Sequence, residues 1–291
     1  MSVIIFGGYA LGLVLGLIAY RNTALGRVWP VIVRTQILAS SVALSLVAVW
    51  RIDSLENVLW PFLIAMSFIG LTIAGFLISR PPGRAAKTVL TAWSASPNTG
   101  FWVVPVGAAL AGPTGALLGV LADRIATPIY AAWIWRLRRD APIPQRRHTS
   151  LIDQAPLIAL GVGLALHLVG PAPAWTSVVT AIAVPLMAIG GAAIFIGSVL
   201  HPTQRIDPRP GVRRWLTMVA VRIALLIPII VLAPSTPIRV VAILAALSIP
   251  AFIGPQISIV YGYAEAALAA SSRYSWYFAA VGLVIAILAA R

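Results

Sequence analysis

The sequence contains no cysteine and very little charge. Without cysteine, disulfides, thiolate metal sites and cysteine nucleophiles are all excluded. Charged residues make up 10% of the 291 residues, against about a quarter in ordinary soluble domains. Seven acidic residues and three histidines are scattered along the chain, so we expect no metal site and no other cofactor. An enzyme would need paired acids, a nucleophile with a base, or metal ligands, so we predict that the protein is not an enzyme.

Apolar residues are abundant instead, at 60% of the chain with a mean hydropathy of +0.96. They form continuous runs rather than alternating patterns, which favours helices over strands. A helix needs about 20 apolar residues to cross a bilayer. The sequence therefore predicts an all-α integral membrane protein with ten transmembrane helices. The ten runs cover residues 3–20, 28–50, 58–79, 88–112, 114–136, 155–170, 176–200, 215–233, 238–263 and 274–290.

The net charge of +14 follows the predicted topology. Of the 21 basic residues, 15 lie in alternate connections, three lie in the other connections or at the C-terminus, and three lie inside runs. This is the positive-inside pattern, and it predicts that both termini lie outside. It explains the charge without a nucleic acid partner. Arg34 and Arg222 begin close enough to the inner surface that we expect their side chains to extend to the lipid headgroups.

A polar linker at 137–153 divides the chain into two halves, 1–136 and 154–291, with five runs in each. Because five is an odd number, the second half must be inserted upside down relative to the first. Inverted repeats of this kind are common among secondary transporters. We therefore predict two inverted five-helix repeats joined by a cytoplasmic linker.

The fourth helix of each half is interrupted by turn-forming residues. Pro97 lies ten residues beyond Lys87, and Pro250 lies eleven residues beyond Arg239. At 1.5 Å of rise per residue, both breaks fall near the middle of a hydrocarbon core about 30 Å thick. Paired breaks at matching positions are the best sequence pointer to a transporter's binding site. The alternative is that both are ordinary kinks, since Pro and Gly are frequent in membrane helices.

The breaks predict a site for a small organic anion near the middle of the membrane. The N-terminus of a half-helix presents unpaired N–H groups and a partial positive charge, which favour an anion. The predicted substrate-binding residues are Pro97, Asn98, Thr99, Gly100, Trp102, Pro250, Gln256 and Ser258.

Asp123 and Arg124 are adjacent charges at the predicted midplane of run five. Charges inside a membrane are functional hypotheses by default. One interpretation is that Asp123 carries a coupling proton while Arg124 attracts the substrate. The other is a structural ion pair, either with each other or with a neighbouring helix.

The stretch Asn98-Thr99-Gly100-Phe101, followed by Pro105-Val106-Gly107 and Gly112-Pro-Thr-Gly115, resembles the fourth-helix signature of the auxin efflux carrier family. That family includes bacterial permeases for malate-like acids and the plant PIN-FORMED carriers. The resemblance implies ten helices in inverted repeats, crossing at broken helices four and nine, and an anionic substrate beside the crossing. It also implies an elevator-like motion, in which the other six helices move against a scaffold of helices one, two, six and seven. A homodimer in the membrane lipid is a further implication. Together with the absence of an evident targeting signal, the resemblance favours the cell (inner) membrane. A ten-helix drug/metabolite-type exporter of neutral or cationic compounds is the alternative, and it would be expected to place an acid at the crossing.

Overall fold

The computed structural model describes residues 1–54, 56–78, 96–139, 154–200, 209–250 and 265–291. Across these ranges the chain is helical and contains no strand, apart from one isolated β-bridge. The predicted all-α class is confirmed for this part of the chain. The helices are α1 (Ser2–Arg21), α2 (Thr23–Trp50), α3 (Glu56–Ile78), a π-helix (Thr99–Val103), α4 (Val104–Arg139), α5 (Ala155–Val169), α6 (Trp175–Leu200), α7 (Arg209–Leu232), α8 (Thr236–Ala246) and α9 (Glu265–Ala290).

Several of these helices are long and apolar enough to cross a membrane, which agrees with an integral membrane protein. Five segments in the described part of the chain meet this condition by length and composition. Large apolar side chains also cover their outer surfaces; Val3, Ile182 and Val231, for example, are 86%, 59% and 71% exposed. Apolar surface on this scale is typical of contact with lipid. The five segments are Ser2–Arg21, Thr23–Trp50, Thr99–Pro128, Trp175–Ile196 and Trp215–Leu232, of which Thr99–Pro128 contains a chain reversal at Gly112.

The helix α4 is a tight hairpin rather than one straight rod. Gly112 has φ of 66°, a conformation that favours glycine, and reverses the chain there. The two arms then pack so closely that a Cβ on Gly115 would lie 2.3 Å from the carbonyl oxygen of Gly107. Further along, a Cβ on Gly119 would lie 3.3 Å from Cα of Val104. The arms 104–110 and 113–139 therefore correspond to the separate fourth and fifth runs of the sequence.

The helices pack as two groups. In the first, α1 packs along α6 and α2 packs along both α5 and α6. In the second, α3, the π-helix, α4, α7, α8 and α9 pack on one another. Backbones in the first group approach through small residues: a Cβ on Gly12 would lie 2.3 Å from the carbonyl oxygen of Ile189, and one on Gly163 would lie 2.4 Å from that of Leu46. Close approach through small residues is the usual means of helix association in membranes.

The helices enclose two apolar cores. The first core lies within the second group, where α8 is buried from Val240 to Ala246 among residues that include Phe68, Trp102 and Ala279. The second core lies between the groups and joins Leu44 of α2 and Val184 of α6 to Val104 and Val120 of α4. The polar residues described next lie along this boundary.

Candidate functional site

The two predicted breaks meet in the structure. Pro97 and Pro250 form an isolated antiparallel β-bridge, and the backbone N–H of Asn98 donates a 2.9 Å hydrogen bond to the carbonyl oxygen of Ile249. Proline lacks an N–H and interrupts a helix, leaving backbone groups without their usual partners. Here each broken segment supplies a partner to the other, as buried backbone requires.

Asn98 organises the start of the helix that follows the first break. Its side-chain oxygen accepts from the N–H of Phe101 over 3.3 Å, so Asn98 is the N-cap. Its carbonyl oxygen accepts from the N–H groups of Trp102 and Val103 over 3.2 Å each. The turn that results is a π-helix over Thr99–Val103, a form frequent at functional sites.

The amide nitrogen of Asn98 is buried and has no hydrogen-bond partner among the described residues. The whole residue is only 3% exposed. An unsatisfied buried donor costs about 1–3 kcal/mol, so it is an expensive feature to keep in a folded protein. The amide is therefore a donor held ready beside the positive end of a helix, an arrangement that suits an acceptor or an anion.

Thr99 connects the break to the predicted charge pair. Its hydroxyl donates to Oδ1 of Asp123, and Oδ2 of Asp123 lies 3.1 Å from Nη1 of Arg124. The sequence left open whether the two charges pair with each other, and the structure shows that they do. Both side chains are largely buried, at 16% and 12% exposed respectively.

Arg124 also binds the first group of helices. Its Nε donates to the hydroxyl of Ser45 over 2.7 Å, and its Nη2 donates to the hydroxyl of Ser41. Ser45 in turn donates to the backbone carbonyl of Ser41 over 2.7 Å. A continuous polar chain therefore runs from Thr99 at the break, through Asp123 and Arg124, to α2.

Aromatic side chains surround the first break. The hydroxyl of Tyr9 on α1 donates to the carbonyl oxygen of Phe101 over 2.6 Å. The ring of Tyr9 lies 6.2 Å from that of Trp102, which is buried in the core of the second group. Gly100 leaves room beside Asp123, since a Cβ placed there would lie 4.0 Å from Oδ2 of Asp123 and 3.6 Å from Cε of Met187.

The expectation that Arg222 reaches the lipid headgroups is wrong. Arg222 is 1% exposed, and it donates to the hydroxyl of Ser248 over 3.0 Å and to the carbonyl oxygen of Ser248 over 3.3 Å. Ser248 lies just beyond the C-terminal end of α8, where unpaired carbonyl groups and a partial negative charge attract a cation. Arg222 therefore supports the second break from within the protein.

The two remaining predicted residues, Gln256 and Ser258, lie outside the described residues. The structure thus brings Pro97, Asn98, Thr99 and Pro250 together and places Gly100 and Asp123 next to them.

Sequence analysis missed Ser41, Ser45, Tyr9 and Ser248 as parts of this site. Ser41 and Ser45 carried a signal, because they are spaced four residues apart on one face of an otherwise apolar helix. Tyr9 and Ser248 carried none, since each acquires its partner only through packing between distant helices.

No family model matches the chain, and no curated protein matches it. The resemblance of residues 97–115 to the auxin efflux carriers therefore depends on the motif alone.

Proposed function

We propose that the protein is a secondary transporter that carries a small organic anion, a carboxylate, across the membrane. The observation that carries this proposal is the buried, unpartnered amide of Asn98 at the paired breaks. A carboxylate placed there accepts a hydrogen bond from the amide and lies at the N-terminal end of the π-helix. The N-terminal end of that helix carries a partial positive charge, which attracts an anion.

The division into two groups of helices supports an elevator-like mechanism. The breaks, Asp123 and Arg124 all belong to the second group, and the two groups pack on each other through an apolar core that only a few hydrogen bonds, including those to Arg124 and Phe101, accompany among the described residues. Such a boundary lets one group slide along the other without breaking many hydrogen bonds. The grouping corresponds to the division into moving and scaffold helices that the family resemblance implies.

The contacts also support inverted repeats. If the second half repeats the first, α1 corresponds to α5 and α2 corresponds to α6. The close packing of α1 on α6 then has its counterpart in the close packing of α5 on α2, and both occur. Under such a two-fold relation each half takes the place of the other, and the bridge between Pro97 and Pro250 joins the corresponding breaks of the two halves.

Asp123 supplies a means of proton coupling. As long as its carboxylate is ionised it neutralises Arg124, and the positive charge available to an anionic substrate is small. When Asp123 takes up a proton, Arg124 keeps its charge and the site attracts an anion more strongly. Proton and anion would then bind together and cross together.

One observation favours a second candidate function, export of cationic compounds. The sequence argument expected an acid at the crossing in such an exporter, and the structure brings Asp123 into contact with Thr99 at the break. A cation could bind Asp123 if Arg124 moved away. We rank this second because Arg124 already pairs with that carboxylate.

Ligand-induced thermal stabilisation of the purified protein tests the choice between the two. The ligand panel contains monocarboxylates, dicarboxylates and amphipathic cations, and the variants are Asn98→Ala and the matched control Thr217→Val on an exposed part of α7. A ligand at 100 times its dissociation constant stabilises by about 2.7 kcal/mol. We expect a carboxylate to stabilise the wild type and Thr217→Val clearly more than Asn98→Ala.

Counterflow in liposomes then tests transport of the carboxylate that binds. Stabilisation by cations alone, lost in Asp123→Asn, would favour the exporter. Binding of a carboxylate without counterflow would contradict transport and leave a receptor or binding protein.

A further inference from the structure

A second polar cleft lies at one end of the boundary between the two groups of helices. It has a volume of about 70 Å³ and is enclosed by the end of α2, the start of α3 and the second arm of α4. Its polar lining includes Arg51, Asn57 and Thr114, and its apolar lining includes Leu117, Leu118 and Leu121. The arginine distribution predicts that this end faces outside.

Arg51 is the cation of this cleft. Its Nη1 is buried and has no hydrogen-bond partner among the described residues. A buried donor on a charged group is expensive to leave unpaired. A guanidinium binds carboxylates particularly well, because its planar set of donors matches their two oxygens. The complement of this side chain is therefore an anion.

The remaining lining specifies the kind of anion. Thr114 and Asn57 add neutral polar groups beside Arg51, while the three leucines form an apolar wall along the helix. A cavity needs about 10–15 Å³ to hold one water molecule, so the cleft has room for a carboxylate with a short apolar tail. Its shape and chemistry fit a small monocarboxylate.

Asp53 also lines the cleft and opposes this binding through its negative charge. Its Oδ1 accepts a hydrogen bond from the side-chain amide of Asn57, which holds the carboxylate on that side. Asp53 therefore reduces the affinity of the cleft for an anion, and replacing Asp53 by asparagine should raise that affinity.

Helical register connects the cleft to the charge pair. On α2, Ala48 of the cleft lies three residues after Ser45, and on α4 Leu121 lies three residues before Arg124. Residues three apart share a helix face and are separated by about 4.5 Å along the axis. The cleft thus ends about one helical turn from the hydrogen bond between Arg124 and Ser45.

We infer that the Arg51 cleft is a second binding site for a small monocarboxylate, occupied on the way to Arg124 and the paired breaks. The binding itself depends on the cleft alone. Its use as a step in transport rests on the proposed function.

The absence of cysteine makes a direct test simple. Thr114 is exposed and lines the cleft, so Thr114→Cys introduces a single thiol there, and butyrate is the probe. We expect butyrate to slow alkylation of this thiol by N-ethylmaleimide in neutral detergent. Ser177→Cys, exposed on α6 and outside the cleft, is the matched control and should react at the same rate with and without butyrate.

Second substitutions identify the residues responsible. In Thr114→Cys/Arg51→Gln, the butyrate concentration for half-maximal protection should rise at least about tenfold, because one charge-assisted hydrogen bond is lost. In Thr114→Cys/Asp53→Asn, half-maximal protection should need less butyrate than in Thr114→Cys. In Thr114→Cys/Asn98→Ala protection should persist, because the cleft does not depend on the central site.

Three results would overturn the inference. Protection lost in the Asn98→Ala background would mean that the thiol senses the central site. Protection unaffected by Arg51→Gln would remove the proposed ligand contact. If, without butyrate, the thiol of Thr114→Cys is alkylated more slowly in phosphatidylglycerol nanodiscs than in phosphatidylcholine nanodiscs, the cleft binds a lipid headgroup instead. Because a monocarboxylate bound in the cleft also stabilises the folded protein, the proposed function is judged separately, on the part of the thermal stabilisation that Asn98→Ala removes.

Discussion

The backbone N–H of Asn98 donates to the carbonyl oxygen of Ile249 across the two halves of the chain, at 2.9 Å. Each of these groups belongs to a segment that a proline has interrupted. Because unsatisfied backbone groups are costly inside a membrane, the pairing stabilises both interruptions at once. The same break leaves the side-chain amide of Asn98 buried without a described partner. Asn98 therefore pairs its backbone N–H at the break and keeps its side-chain amide as a donor without a described partner.

Gly12→Ala should destabilise the packing of α1 on α6. A Cβ at this position would lie 2.3 Å from the carbonyl oxygen of Ile189 and 2.9 Å from Cβ of Ala192, so the helices must separate. Overpacking of this kind costs about 1–3 kcal/mol. Unfolding of the purified protein at increasing concentrations of a denaturing detergent measures the change in stability. Gly7→Ala is the control on the same helix, because nothing lies within 4 Å of its Cβ position; it should leave stability unchanged or raise it.

Arg222→Met should destabilise the second break. Ser248 would lose the cation that contacts its hydroxyl and its carbonyl oxygen. Hydrogen bonds to charged groups contribute about 1.5–3 kcal/mol, and thermal unfolding of the purified protein measures the loss. Arg213→Met on the exposed part of α7 is the matched control. Equal stability of the two variants would show that Arg222 does not support the break.

The positions of the breaks could be predicted because they depend on local chemistry. Pro97 stands in a Pro-Asn-Thr-Gly cluster and Pro250 is followed by Gly254-Pro255, so each proline is accompanied by other turn-forming residues, whereas Pro61 and Pro185 lie inside continuous helices. Rise per residue then predicts the depth of both breaks. The separation of runs four and five at Gly112 was predictable for the same reason. These features need no knowledge of which helices are neighbours.

The partners of the polar side chains could not be predicted in this way. Distance from the helix end suggested that Arg222 extends to the headgroups, but tertiary packing places Ser248 beside it. The contact of Thr99 with Asp123 likewise needs the reversal at Gly112, which folds the second arm of α4 back along the first. Sequence analysis identified the residues of the charge pair but not the serines that bind it.

Asp123→Asn should remove the pH dependence of transport. The asparagine keeps an acceptor for the hydroxyl of Thr99 but cannot exchange a proton. Counterflow of a bound carboxylate, measured at several pH values in liposomes, tests this. Thr99→Val is the matched control, since it removes the hydroxyl and leaves the carboxylate, so the pH dependence should remain. A pH dependence that is the same in Asp123→Asn and the wild type would end the proposal of proton coupling by this residue.

Three serines of α2 provide a matched comparison at the boundary between the groups of helices. Ser41 and Ser45 bind Arg124, whereas the hydroxyl of Ser40 is buried with no partner among the described residues. Removing one partner of a charged hydrogen bond costs about 1.5–3 kcal/mol, but removing an unsatisfied hydroxyl relieves a cost. Ser41→Ala and Ser45→Ala should therefore lower the midpoint of thermal unfolding, and Ser40→Ala should leave it unchanged or raise it.

If Arg124 also holds the two groups together during transport, the Ser41→Ala/Ser45→Ala double variant should change the rate of counterflow while the thermal stabilisation by carboxylate stays. Loss of that stabilisation in the double variant would instead place the serines in the substrate site.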